Sequence, residues 1–390
     1  MIEAKVSAVE SFGLENIQEM VKASGPCVTV LLPSYRPGAQ AKSMAAILKT
    51  NLQEAARQLA LRKISESAIT DLLDPLEQLT QDKEFLAGSR WGRAIFRSSE
   101  MLRQFQFIGP VNQALTIGAC FNLRPILAEL HLPAEFYLLE LSKKRVDLFR
   151  CNHLQAERVE LPSGVPETLD EALAFKPPDH DLENRSSAGA SAGAMSRIRF
   201  GTGSGRETQH TYLSDFYKAV DRGVRERLNG SNAPLVLAGV HEDTAIYRMI
   251  NTYPNLLARS ISGSPSASTS AKENEVVEQA YWIVRSDNAE KAATRLAELK
   301  ERVSPGRFSV HLEPILHAAA EGRVETIYID ESAQRLGLFA DAQHVARSNW
   351  GDEDLLNRAA VETILHSGLA FALPNSRMPD GAAVAAMFRY

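Results

Sequence analysis

Hydrophobic positions alternate between two periods along the chain. Residues 27–32, Cys-Val-Thr-Val-Leu-Leu, form a β-branched apolar run stopped by Pro33, which predicts a buried strand. Residues 40–63 then place Ala45, Leu48, Leu52, Ala55, Ala56 and Leu59 at spacings of three and four, the stripe of an amphipathic helix. Strand-like pieces follow at 92–96, 105–108 and 115–119, and a helix-like one at 123–130. Next, residues 136–141 and 146–149 flank the polar Ser142-Lys143-Lys144, a hairpin signature. Leu213, Phe216, Tyr217, Val220, Val224 and Leu228 share one helical face that Asn229-Gly230 ends. A buried strand is expected at 235–239 and a helix at 243–250, giving the order β-β-loop-α-β-α. The remainder predicts a helix over 273–303, with Asp287-x-x-Glu290 as a capping box that would break it. It also predicts a helix at 312–320, a strand at 324–329, a helix capped by Asp352 and running to His366, and a strand at 369–373. Strands alternating with helices imply an α/β fold with helices packed over sheets.

The periodicity lapses in two places. Residues 176–209 contain Pro177-Pro178 and a Ser, Ala and Gly tract, and residues 260–270 are mostly serine, which reads as a flexible linker. Leu132-Pro133 makes a third joint. A length of 390 residues calls for about three domains. The expected division is therefore 1–131, 132–263 with a glycine-rich loop at 183–209, and 272–390. No apolar run approaches the ~18 residues of a membrane span, and the first ten residues lack the layout of a secretory signal, so a cytoplasmic protein is expected. Cys27, Cys120 and Cys151 are too few and too scattered for a disulfide framework or a zinc ribbon.

Net charge is −5, which argues against a chain that coats nucleic acid along its whole surface. The charge is uneven, however. Residues 185–227 hold eight bases (Arg185, Arg197, Arg199, Arg206, Lys218, Arg222, Arg225, Arg227) against four acids (Glu207, Asp215, Asp221, Glu226), so this window is locally +4. It contains Phe200-Gly-Thr-Gly-Ser-Gly-Arg206, which runs into the predicted helix, and Ser204-x-x-Glu207 fits a capping box with the helix starting at Gly205. Unpaired amides and the helix dipole attract anions at such an end. Arg197, Arg199, Gly201, Gly203, Gly205 and Arg206 are therefore the candidate phosphate contacts. The glycine spacing matches neither the dinucleotide fingerprint nor a Walker loop, so a plain surface loop before a capped helix fits the same residues. Other constellations are weaker: Asp179-His180-Asp181 reads as a solvated loop, Glu140 and Asp147 as a surface cross-strand pair, Ser163 lacks a nucleophile elbow, and Tyr281, Trp282 and Trp350 fit core or contact roles. No metal or cofactor site is encoded.

Four stretches carry a resemblance: the hairpin 136–149, the glycine-rich loop passing into Leu213-Ser-Asp-Phe-Tyr-Lys-Ala-Val-Asp-Arg222, the strand region 322–330, and residues 359–368 with the ending 378–390. They resemble the bacterial branch of the archaeal and eukaryotic class-1 peptide-chain release factors, a family that includes Pelota. Residues 30–38 and 121–127 are similar to the N-terminal domain of that branch. The resemblance implies three consecutive α/β domains, the middle one ribonuclease-H-like and the C-terminal one of the kink-turn-binding ribosomal-protein type. It also exposes a departure: the family's Gly-Gly-Gln is here Gly201-Thr-Gly-Ser-Gly205, with Gln209 beyond it, which puts peptide release by that mechanism in doubt.

Three readings follow. One is a factor that binds ribosome or tRNA through the basic loop, with neither DNA nor membrane as partner. The second is a hydrolase of peptidyl-tRNA or another RNA-linked ester, in which Ser204, Gln209 or His210 replaces the missing glutamine. The last is an assembly or scaffold protein without RNA function.

Overall fold

The computed structural model describes residues 14–33, 41–82, 85, 92–107, 111–152, 156–175, 204–263, 270–302, 304, 306–339 and 353–390. Of 204–209 it describes the backbone only. The chain divides into two compact units, residues 1–132 with 285–390, and residues 133–284. None of the described helices is long and apolar enough to cross a membrane.

The first unit opens with α1 (Leu14–Met20), β1 (Cys27–Leu32), α2 (Ala41–Leu61), α3 (Glu66–Leu79), β2 (Gly92–Arg97), β3 (Leu102–Phe107), β4 (Ala114–Gly118) and α4 (Arg124–Leu130). Its sheet runs β3-β2-β1-β4, antiparallel throughout. Because side chains alternate across a strand, Val28, Val30 and Leu32 of β1 face α2 and α3, while Cys27 and Leu31 face the opposite side with Phe96 and Phe105. Both faces are covered, which is why β1 reads as a continuous apolar run.

Helix α3 is not predicted by the periodicity. Ser65 caps it, its hydroxyl accepting from the Ala68 N–H, and Leu72, Leu73, Leu76 and Leu79 are its buried face. Pro75 lies inside it and has no N–H for the Asp71 carbonyl four residues back. Arg97 supplies the missing donor from the sheet: Nη2 donates to Asp71 O (3.0 Å) and Nε to Leu72 O (3.0 Å). Arg97→Met is expected to destabilise the protein by about 1–3 kcal/mol, the cost of leaving the part-buried Asp71 carbonyl without a donor and the Leu72 carbonyl without its second one. Arg97→Lys, with one compact donor group, should fall between. Urea unfolding midpoints decide it: an Arg97→Met variant as stable as the parent means the guanidinium does not repair the helix.

The second unit contains β5 (Phe136–Ser142), β6 (Arg145–Cys151), β7 (Ala156–Val159), α5 (Leu169–Phe175), α6 (Ser204–Arg227), β8 (Leu235–Gly239), α7 (His241–Ile250) and β9 (Leu256–Ser262). The sheet order is β7-β6-β5-β8-β9, with the β5–β6 hairpin turning at Lys143-Lys144 and β8 parallel to both β5 and β9. The expected β-β-loop-α-β-α is thus extended by β7, α5 and β9. Residues 260–262, expected to open a linker, end β9 instead, because pairing with β8 recruits them into the sheet. Glu140 and Asp147 do stand opposite each other, but both are buried, not a surface pair.

Helix α8 (Ser270–Arg302) runs unbroken through Asp287, correcting the break expected there. Spacings of three and four within a helix also bring its own side chains together, and Asp287 pairs with Lys291 on the surface at 2.9 Å. The first unit then resumes with β10 (Phe308–Ser309), α9 (Leu312–Ala320), β11 (Val324–Asp330), β12 (Leu336–Gly337), β13 (Glu353–Asp354), α10 (Leu355–Leu365), β14 (Leu369–Leu373) and β15 (Val384–Phe388). The sheet is β10-β15-β11-β14, with β11 and β14 parallel and joined through α10. The cap of α10 is Asp354, whose carboxylate accepts from the Leu356 N–H, and not Asp352, which lies outside the described residues.

Residues 14–132 and 285–390 share one apolar core. Ile17, Met20, Phe96, Phe105, Ile126 and Leu127 belong to the same cluster as Leu316, Ile327, Leu356, Ala360 and Phe388. Polar contacts fix its rim. Asn357 accepts from the Leu123 N–H (2.8 Å) and donates to Phe121 O (2.9 Å), while Arg124 pairs with Asp354 (2.5 Å) and donates to Glu331 O (3.0 Å). Arg285 bridges Glu129 and Glu331. His131 stacks on Phe371 and donates from Nε2 to Ala370 O at 2.7 Å; burial lowers its pKa.

Candidate nucleic-acid interface

The glycine-rich window enters the fold at α6, which begins at Ser204, one residue before the expected start. Of the candidate contacts, Arg197, Arg199, Gly201 and Gly203 lie outside the described residues. Ser204, Gly205, Arg206 and Gln209 lie on the first turns of α6, and His210 follows them as an exposed residue. The structure therefore gathers the weak catalytic candidates Ser204, Gln209 and His210 on one helix, within two turns of its start. Asp179, His180, Asp181 and Trp350 also fall outside the described residues.

What holds α6 is well defined. Leu213, Phe216, Tyr217, Val220, Val224 and Leu228 pack into the core of the second unit, as their spacing predicts. Gly223 sits where a Cβ would lie 2.6 Å from Val165 Cγ2, so its missing side chain admits the segment that precedes α5. A buried polar network, which the sequence pattern does not single out, fastens the helix further along. The Asp221 carboxylate accepts from the Tyr247 hydroxyl (3.3 Å), the Thr252 N–H (3.1 Å) and the Thr252 hydroxyl (2.7 Å). Its one visible signal is an acid inside an apolar face. Burial first, then the neighbouring Asp221, pushes the Tyr247 phenol far above its usual range. Burial also raises the Asp243 carboxyl, which lies beside the Tyr217 hydroxyl.

The opposite face of α6 is polar. Lys218, Arg222 and Arg225 are exposed there, and Lys218 pairs with Asp215 at 3.0 Å. The other constellations offer less chemistry. Asp147 is held by Arg145 (2.5 Å) and Arg158 (2.6 Å), and no cluster of metal-ligating side chains occurs among the described residues. Ser163 is exposed in a turn, and all three cysteines are buried. Burial, with Glu140 nearby, pushes the Cys151 thiol up to about 12, far from a nucleophilic thiolate.

Comparison with known proteins adds the following. Residues 135–323 match the family described as "Bacterial archaeo-eukaryotic release factor family 3". No curated protein matches the sequence. Among solved structures, Archaeoglobus fulgidus Pelota is similar at 12% identity and a TM-score of 0.38, covering 98% of this chain and 94% of its own. The archaeal translation termination factor aRF1 is similar at 12% and 0.25, covering 97% and 99%. Saccharomyces cerevisiae Dom34 is similar at 10% and 0.32, covering 77% and 81%. The matched region spans β5 through α9 and takes in the whole basic window, so this part of the chain is similar to the bacterial archaeo-eukaryotic release-factor family.

Proposed function

We propose that the protein is a translation-associated factor that binds ribosome or tRNA through the basic glycine-rich segment 183–209 and the start of α6, without peptide release of the Gly-Gly-Gln kind. One observation carries this reading: inside the family-matched region, the sequence running into α6 reads Gly201-Thr-Gly-Ser-Gly205 between Arg199 and Arg206. Glycines allow close backbone approach, and arginines together with free helix-start amides hold phosphates without reading sequence. No glutamine stands within Gly201–Gly205 to position an attacking water as the family's Gly-Gly-Gln does. The three-domain division at 1–131, 132–263 and 272–390 belongs to the same proposal, with a ribonuclease-H-like middle domain and a C-terminal domain of the kink-turn-binding type. The separate sheets β3-β2-β1-β4, β7-β6-β5-β8-β9 and β10-β15-β11-β14 are compatible with it.

The test is co-sedimentation with purified ribosomes at two salt concentrations. Replacing Arg197, Arg199 and Arg206 together by alanine is expected to weaken binding by tenfold or more at low salt, and the parent's binding should itself fall steeply as salt rises. Binding that persists unchanged in the triple variant removes the loop from the interface. Release of peptide from peptidyl-tRNA by the parent protein, on ribosomes, would favour the hydrolase instead.

A further inference from the structure

Helix α6 has one face that its packing does not use. With the buried face fixed by Leu213, Val220 and Val224, the 3.6-residue period directs Thr211, Ser214, Lys218, Arg222 and Arg225 to the opposite side. Thr211, Lys218, Arg222 and Arg225 are exposed. Lys218 shares its charge with Asp215, whereas neither guanidinium of Arg222 and Arg225 makes an ion pair or hydrogen bond among the described residues.

The helix itself gives little reason for this row. Like charges three and four residues apart disfavour an isolated helix. Arg225, in the last turn, complements the dipole, but that effect fades within one turn, and Arg222 lies before it. Resting on the reading that this unit meets RNA, we propose that the Lys218, Arg222 and Arg225 face is a second contact for an RNA phosphate backbone, separable from the glycine-rich sequence that precedes the helix. From Lys218 to Arg225 the axis rises about 10 Å, enough to span about three phosphates at the ~3.4 Å axial spacing of one duplex strand. The composition of the face selects nucleic acid over an acidic protein. Its exposed neighbours are Thr211, Glu226 and Asn229, and its one apolar residue is the half-buried Ala219, whereas a protein interface needs an apolar centre. Phosphate contacts need only charge and hydrogen-bond donors.

Labelled oligouridine and purified ribosomes serve as probes for four full-length proteins: the parent, Arg222→Gln/Arg225→Gln, Arg222→Lys/Arg225→Lys, and the loop triple Arg197→Ala/Arg199→Ala/Arg206→Ala. The glutamine pair is expected to weaken oligouridine binding several-fold at about 50 mM salt and to flatten the slope of log affinity against log salt by about 1.4, at roughly 0.7 per lost single-strand contact. The lysine pair should retain most of the binding. Circular dichroism and unfolding midpoint of both pairs should match the parent, since neither arginine packs. If the loop triple loses binding while the glutamine pair matches the parent in affinity and slope, the loop reading stands and this face is no contact. If the parent binds neither probe, both readings fall. Unchanged RNA affinity together with reduced binding of the glutamine pair to polyglutamate assigns the face to an acidic protein and overturns the proposal.

Discussion

Replacing Arg358 by alanine is expected to cost about 3–5 kcal/mol of stability, a larger effect than that of Arg97→Met. Arg358 and Glu362 lie one turn apart on α10, each side chain 1% exposed, with Nη2 and Oε1 2.9 Å apart. Glu353 stands farther off, at 3.8 Å from Nη1. Desolvating two charges is costly, and their attraction repays it only while both are present. The single variant strands a carboxylate in the interior. The double variant Arg358→Met/Glu362→Leu removes both charges at similar volume and should unfold within about 1 kcal/mol of the parent, or above it. Denaturant unfolding of the two variants is the measurement. A single variant as stable as the double would mean that the carboxylate finds adequate solvation without its partner.

Asp221→Ala is expected to destabilise the second unit by about 3 kcal/mol, because the variant leaves the Tyr247 hydroxyl, the Thr252 N–H and the Thr252 hydroxyl without their shared acceptor. The carboxylate joins α6 to the segment after α7, so its loss should be felt at both. Asp221→Asn keeps one acceptor oxygen and should lose less. Amide hydrogen exchange gives the sharper readout: protection is expected to drop along 213–228 and near Thr252 while β1 and β2 keep theirs. An Asp221→Ala protein with unaltered midpoint and exchange would mean that water replaces the carboxylate at no cost.

How much of the fold was legible in the sequence depended on whether the cause of each element was local. The β5–β6 hairpin was readable because alternation and a two-lysine turn lie within fourteen residues. Helix α3 was hidden by Pro75, and the group that tolerates the proline, Arg97, lies more than twenty residues away on another element. Strand β9 was hidden because Ser260 and Ser262 continue into a serine tract, and only the parallel partner β8 distinguishes strand from linker. Asp352 and Asp354 are equally good caps by composition; the geometry of β13 decides for the second. At the candidate interface, the basic window could be counted, but which bases project together required the rotation of α6 that its core residues impose. The Asp221 network needed Thr252, thirty-one residues on, to become visible.

The core shared by residues 14–132 and 285–390 bears on how the protein is made. Phe96, Phe105, Ile126 and Leu127 meet partners such as Leu356 and Phe388 that leave the ribosome about 250 residues later. At ~5–20 residues per second, the nascent chain carries that half-finished apolar face for roughly 12–50 seconds. During this time β5 through β9, whose core is drawn from residues 137–256, can complete their own fold. A stretch of synthesis with one unit finished and the other still open is where holding by a chaperone would matter most, and where a pause or a truncated message would leave an aggregation-prone fragment.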